Sequence, residues 1–112
     1  MEENRRRRHD LDSATPVKRL RRLLTSGNLW LYILSLLRKR KLYAYELDKL
    51  IETEFGFRPD RIMIYVVLYR LEAEGLITSE YEERRKYYTI TGKGEESLNV
   101  ARDYFRMLSG KL

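Results

Sequence analysis

Cations spaced for polyanion contact are the chemistry most visible in this sequence. Arg5, Arg6, Arg7 and Arg8 form one run, Arg38 to Lys41 a second, and Arg84, Arg85 and Lys86 a third. Such clusters make charge-assisted hydrogen bonds to anionic oxygens. Other chemistries lack their actors. There is no cysteine and the one histidine is His9, so thiol catalysis, Cys-rich zinc sites and imidazole general-base chemistry are excluded. No paired carboxylates, nucleophile with a base, or phosphate loop can be assembled, and the expectation is a non-enzyme with no metal and no cofactor.

The 112 residues carry 23 basic and 17 acidic side chains, a formal charge of +6. The excess is uneven: residues 1–28 hold eight basic and four acidic groups (+4), residues 29–75 eight and seven (+1), and residues 76–112 seven and six (+1). A binding face in the middle must therefore come from the arrangement of charge, not from its bulk. At 43% hydrophobic, the chain suffices for one core. Its longest apolar stretch, Leu29 to Leu37, falls short of the roughly 20 residues that span a bilayer, and no apolar leader follows the first arginines. The expectation is a soluble cytoplasmic protein without membrane partners.

The elements that must position these groups follow from periodicity. Residues 1–14 lack it and read as a flexible basic arm. Thr15 offers an N-cap and Pro16 a first helical position for a short amphipathic helix with Val17, Leu20 and Leu24 on one stripe, ending near Ser26-Gly27. Asn28 or Ser26 can cap a second helix, Leu29 to about Lys39, apolar enough to be the central buried one. A third covers Tyr45 to about Phe55, with Leu47, Leu50 and Ile51 inward, Glu46, Asp48, Lys49, Glu52 and Glu54 outward, and Gly56 as terminator. Asp60 caps a fourth, ending at Gly75, with Ile64, Val67, Leu68 and Leu71 as its core stripe. Leu76 to Tyr81 and Lys86 to Ile90 read as a hairpin around Glu82 to Arg85, with Tyr88 and Ile90 inward and Tyr87 outward. Thr91 caps a last helix running to about Ser109.

Three helices and a hairpin over residues 28–91 give the order of a winged helix-turn-helix, mainly α with a two-stranded β wing, flanked by helices at 15–27 and 92–112. In this fold the third helix of the domain enters the DNA major groove and the wing lies on backbone or minor groove. The sequence resembles the PadR-like transcriptional regulators through four ordered segments: Leu24-Thr-Ser-Gly27-Asn-Leu29 leading into Ile33-Leu34; Leu42-Tyr43-Ala44-Tyr45-Glu46-Leu47; Tyr65 with Leu68-Tyr69-Arg70-Leu71-Glu72-Ala73-Glu74-Gly75-Leu76-Ile77; and Arg85-Lys86-Tyr87-Tyr88-Thr89-Ile90-Thr91-Gly92-Lys93-Gly94. The family usually has Gly-Thr-Leu-Tyr-Pro where this chain has Ile62-Met63-Ile64-Tyr65-Val66. Apolar atoms thus replace hydrogen-bonding groups at the reading end; they can meet thymine methyls or be covered by the arm or a partner.

The resemblance implies a DNA-binding regulator, a repressor, acting as a homodimer on double-stranded DNA. Its expected DNA contacts are Arg61, Tyr65, Tyr69 and Arg70 on the recognition helix, and Arg84, Arg85, Lys86 and Tyr87 on the wing. Arg5, Arg6, Arg7 and Arg8 would form a DNA-seeking arm. The stripes Val17, Leu20, Leu24 and Leu98, Ala101, Phe105, Leu108, Leu112 would form the dimer interface. Some PadR-like proteins bind small aromatic effectors at that interface; Trp30, Tyr104 and Phe105 would line such a pore, unless they serve core packing. A competing reading makes the domain a protein-interaction module that uses Ile62, Met63 and Val66.

Overall fold

The computed structural model describes residues 13–112. The arm assigned to residues 1–14, with Arg5 to Arg8, lies outside the described residues apart from its last two positions. The described chain forms α1 (Thr15–Leu24), a 3-10 turn (Ser26–Asn28), α2 (Leu29–Leu37), β1 (Leu42–Tyr43), α3 (Ala44–Phe55), α4 (Arg61–Ala73), β2 (Ile77–Glu82), β3 (Arg85–Ile90) and α5 (Gly92–Lys111). The fold is mainly α with a small antiparallel sheet, a winged helix-turn-helix with a helix at each end.

Helix α2 is the hub because its apolar residues surround its axis. Leu29, Ile33, Leu34, Leu36 and Leu37 are all buried, against Leu47 and Ile51 of α3, Ile64, Leu68 and Leu71 of α4, and Leu98 of α5. Leu42, Ile77 and Tyr88 close the core from the sheet. Burying each such side chain stabilises the fold by about 1.5–3 kcal/mol before entropy is counted.

The sheet has three strands, not the two expected, in the order β1-β3-β2. Leu42 and Tyr43 pair with Tyr88 and Tyr87. Two residues are too short a run to show period-2 alternation, so the strand has no signature of its own in sequence. The hairpin is also longer than expected, with Glu82 paired to Arg85 and only Glu83-Arg84 in the turn. Glu83 adopts φ 58°, a left-handed conformation that hairpin turns of this length require and that glycine or asparagine usually supplies.

Two caps differ from expectation. Thr15 is inside α1 and Ala14 precedes it without a side-chain cap. Asn28 does not cap α2; its amide donates to the Leu23 carbonyl at 2.5 Å and accepts from Trp30 Nε1 at 3.2 Å, closing the preceding helix instead. Asp60 does cap α4, accepting from the Ile62 and Met63 amides at 2.8 and 3.3 Å. The far end of α4 closes with the Leu76 amide bonded to the Leu71 carbonyl and Gly75 to Glu72, which needs the left-handed φ of 77° at Gly75.

Helix α5 is seated by Thr91 and Gly94. Thr91 Oγ1 donates to the Gly75 carbonyl at 2.7 Å and accepts from the Gly94 amide at 3.1 Å. A Cβ on Gly94 would lie 2.1 Å from the Leu76 carbonyl oxygen, so only glycine permits this approach. Arg38 at the end of α2 then donates to Asn99 at 2.6 Å, fixing the first half of α5 along the core.

Candidate nucleic-acid interface

The exposed side of α4 is set by its core stripe. With Ile64, Leu68 and Leu71 inward, Ile62, Tyr65 and Tyr69 form an outward row, Tyr69 being 77% exposed and Ile62 73%. Neither tyrosine is buried against the wing. Arg70 is not part of this row: it sits about 140° around the helix from Tyr65. It lines instead a cleft of about 420 Å³ with Trp30, Met63, Val67 and Glu74.

Arg61 opens the helix and is held by its neighbours. Its Nε donates to Asp48 Oδ2 at 3.1 Å, and its guanidinium lies 5.9 Å from the centre of the Tyr45 ring. Asp48, expected on the outer face of α3, is only 6% exposed. It follows Leu47 at the edge of the apolar stripe, and the N-terminus of α4 covers it. A carboxylate so buried needs a cationic partner, which Arg61 supplies.

The wing cations are divided by strand alternation. Successive β3 side chains point to opposite faces, so Arg85 and Tyr87 share one face while Lys86 and Tyr88 share the other. Arg85 lies over the Tyr43 ring at 4.7 Å, and Tyr43 meets Tyr87 edge-on at 5.5 Å between ring centres. Lys41 completes that face, over Tyr87 at 5.3 Å and paired with Glu82; this hydrogen bond raises its pKa above the ordinary lysine value. Tyr87, read from sequence as outward, is half-buried beneath these groups. Lys86 faces α4, 3.9 Å from Glu72 and between the Tyr81 and Tyr88 rings. Burial pushes the Tyr88 hydroxyl up in pKa, with Glu72 adding to it, so it stays protonated. Arg84 is the one cation in the two-residue turn, exposed, and without an ion pair among the described residues. The expectation of three cations presented together therefore fails.

The sequence that builds this capped helix and cationic hairpin is matched by a family model. The Transcriptional regulator PadR-like family matches residues 33–100. This chain belongs to that family. It is similar to a PadR family transcription regulator from Clostridium difficile, with 30% identity, covering 75% of this chain and 93% of that one at a TM-score of 0.71. A PadR-like transcriptional regulator from Bacillus cereus is 33% identical, covering 81% and 91% at 0.67. Bacillus subtilis PadR in complex with operator DNA is 32% identical, covering 63% of this chain and 43% of that chain at 0.60. Among curated proteins no sequence matches.

In this PadR-like chain the dimerisation residues expected from sequence fall into two groups. Leu98 is buried in the chain's own core, against α2, and so is not available to a partner. Leu20 and Leu112 are exposed, as are Phe105 and Leu108, while Val17, Leu24 and Ala101 are half-buried. Trp30, Tyr104 and Phe105 do come together, lining a cleft of about 410 Å³ with Leu24, Leu31 and Ala101. Among the described residues no acidic or histidine cluster could hold a metal, and no helix is long and apolar enough to cross a membrane.

Sequence reasoning missed Tyr43, Tyr45 and Asp48 as parts of this surface, and it grouped Lys41 with the end of α2 instead of with the wing. Tyr43 and Tyr45 lie in the family segment Leu42 to Leu47, and Asp48 directly follows it. Their types gave no signal by themselves, since each meets its partner only through pairing across elements.

Proposed function

We propose that this chain is a non-enzymatic transcriptional repressor that binds double-stranded DNA sequence-specifically as a homodimer in the cytoplasm. Residues 28–91 form the DNA-binding part, with α4 in the major groove and the β2–β3 wing on flanking backbone. The observation that carries the reading is the row Ile62, Tyr65 and Tyr69 exposed on α4 with Arg61 at its N-terminal end, where recognition helices read bases. The similar Bacillus subtilis PadR, in complex with operator DNA, supports it. Arg84 supplies the phosphate contact at the wing tip, with Arg85 and Lys86 behind it and Arg5 to Arg8 adding non-specific attraction. Tyr87 contributes by bracing the sheet, and Arg70 by approaching backbone from the cleft side of α4.

Helix α1 and the second half of α5 supply the dimer interface. Their stripes, Val17, Leu20 and Leu24 with Ala101, Phe105, Leu108 and Leu112, range from half-buried to exposed and are only partly covered within the described chain. A planar aromatic effector fits the cleft of Trp30, Tyr104 and Phe105 between two copies; a rise in melting temperature with such compounds is its test.

Selection from a random duplex pool tests the whole reading. Two half-sites about one DNA turn apart, roughly 34 Å, are expected. The exposure of Ile62 and Met63 favours a second reading, a protein-docking module. Absence of any gel shift with random duplex at low salt selects that reading instead.

A further inference from the structure

We propose that Asp48 is a positioning residue that fixes Arg61 for readout of one guanine in each operator half-site. The inference rests on the DNA-binding reading above and names the base that this site takes. At the exposed start of α4, Ile62 and Met63 offer only van der Waals contact. Hydrogen-bond readout from that turn therefore falls to Arg61.

The guanidinium is arranged for it. Five N–H donors form a planar fork, of which Nε is taken by Asp48 Oδ2 at 3.1 Å. The two terminal nitrogens remain, and they are the pair that can meet guanine O6 and N7 together. The Arg61 side chain is 64% exposed while that of Asp48 is 8% exposed, so the anchor is buried and the reading end is not. Tyr45, 5.9 Å away, flanks the fork on one face. Ordering of a long side chain is thereby completed on folding instead of at the moment of binding.

Asp48 has a second consequence. Its negative charge largely cancels that of Arg61, making the pair a poor phosphate anchor. Arg61 should then matter for discrimination and little for salt dependence, the reverse of Arg84.

The test uses the full chain as wild type, Asp48→Asn and Arg61→Lys. A site is selected from random duplexes, and anisotropy gives affinities for that site, for the site with its guanine pair changed to A·T, and for random duplex. The wild type should discriminate against the change by about 10-fold or more. Arg61→Lys keeps the charge and loses the fork, and should fall to within about 3-fold. Asp48→Asn should fall similarly with its random-duplex affinity unchanged or tighter. A selected site with no guanine in common, or full discrimination in either variant, overturns the proposal. So does an equal loss by Asp48→Asn on selected and random DNA, which would make Asp48 a support of the fold only. Should Asp48→Asn not fold, Asp48→Glu, which keeps the charge and displaces the carboxylate by one methylene, takes its place with the same loss of discrimination expected. A wild type that prefers no duplex overturns the DNA-binding reading and this inference with it, whereas specific binding with unaltered discrimination overturns this inference alone.

Discussion

The winged part of the molecule and the helices that flank it carry the same kind of apolar periodicity and end in opposite states. In α2 and α3, Ile33, Leu34, Leu47 and Ile51 are completely buried, whereas α1 buries no residue and α5 buries only Gly94 and Leu98, both in its first two turns. The stripe Leu98, Ala101, Phe105, Leu108 and Leu112 is continuous in sequence, yet only its first member reaches the core. Spacing specifies that residues share a helix face; what covers the face depends on where the helix goes. Helix α5 draws away from the core after its second turn: Gly94, Thr91 and Asn99 fix its first half, Ala101, Tyr104 and Phe105 meet only an open cleft with Leu24, Trp30 and Leu31, and its last turns bury no residue.

The contrast can be broken from the buried side first. Leu47→Ala should cost about 2–5 kcal/mol in urea unfolding, since it opens a cavity at the meeting of α2 and α3. Gly94→Ala should cost about 1–3 kcal/mol, because the added Cβ must push α5 off the Leu76 carbonyl. Thr91→Ala removes the cap and the bond to Gly75, with about 1 kcal/mol expected. On the exposed side, Phe105→Glu with Leu108→Glu should leave the helical circular dichroism signal intact and convert a dimer to a monomer in sedimentation; a dimer that persists would refute the interface. Smallest of all, Arg84→Ala should leave stability within about 0.5 kcal/mol. It should flatten the slope of log K against log salt by about 0.9 per chain, and Lys86→Ala, already paired with Glu72, should change that slope less.

Element identity was largely legible because local rules governed it. The Asp60 cap, the Gly56 and Gly75 terminators and the stripe Ile64, Leu68 and Leu71 lie where periodicity and turn chemistry put them. The hairpin turn was legible only approximately, since Glu83 occupies a backbone conformation its residue type disfavours. Glu83→Asn should therefore raise stability by a few tenths of a kcal/mol. Strand β1 and the burial of Asp48 were not legible. Both depend on partners far along the chain, Tyr87 and Tyr88 for one and Arg61 for the other.

What the sequence determined by itself is the family, through four segments in order, together with the helix stripes and the Asp60 and Thr91 caps, because stripes and these caps arise from residues within a few positions of one another. What only the tertiary structure decided is the division of the cations. Alternation along β3 sends Arg85 and Lys86 to opposite faces, and each meets aromatic rings or acids brought from other elements, leaving Arg84 alone at the turn. Contiguity in sequence fixes neither the direction of a side chain nor its neighbour across the fold, and on this surface those two quantities set which charges remain free for a partner.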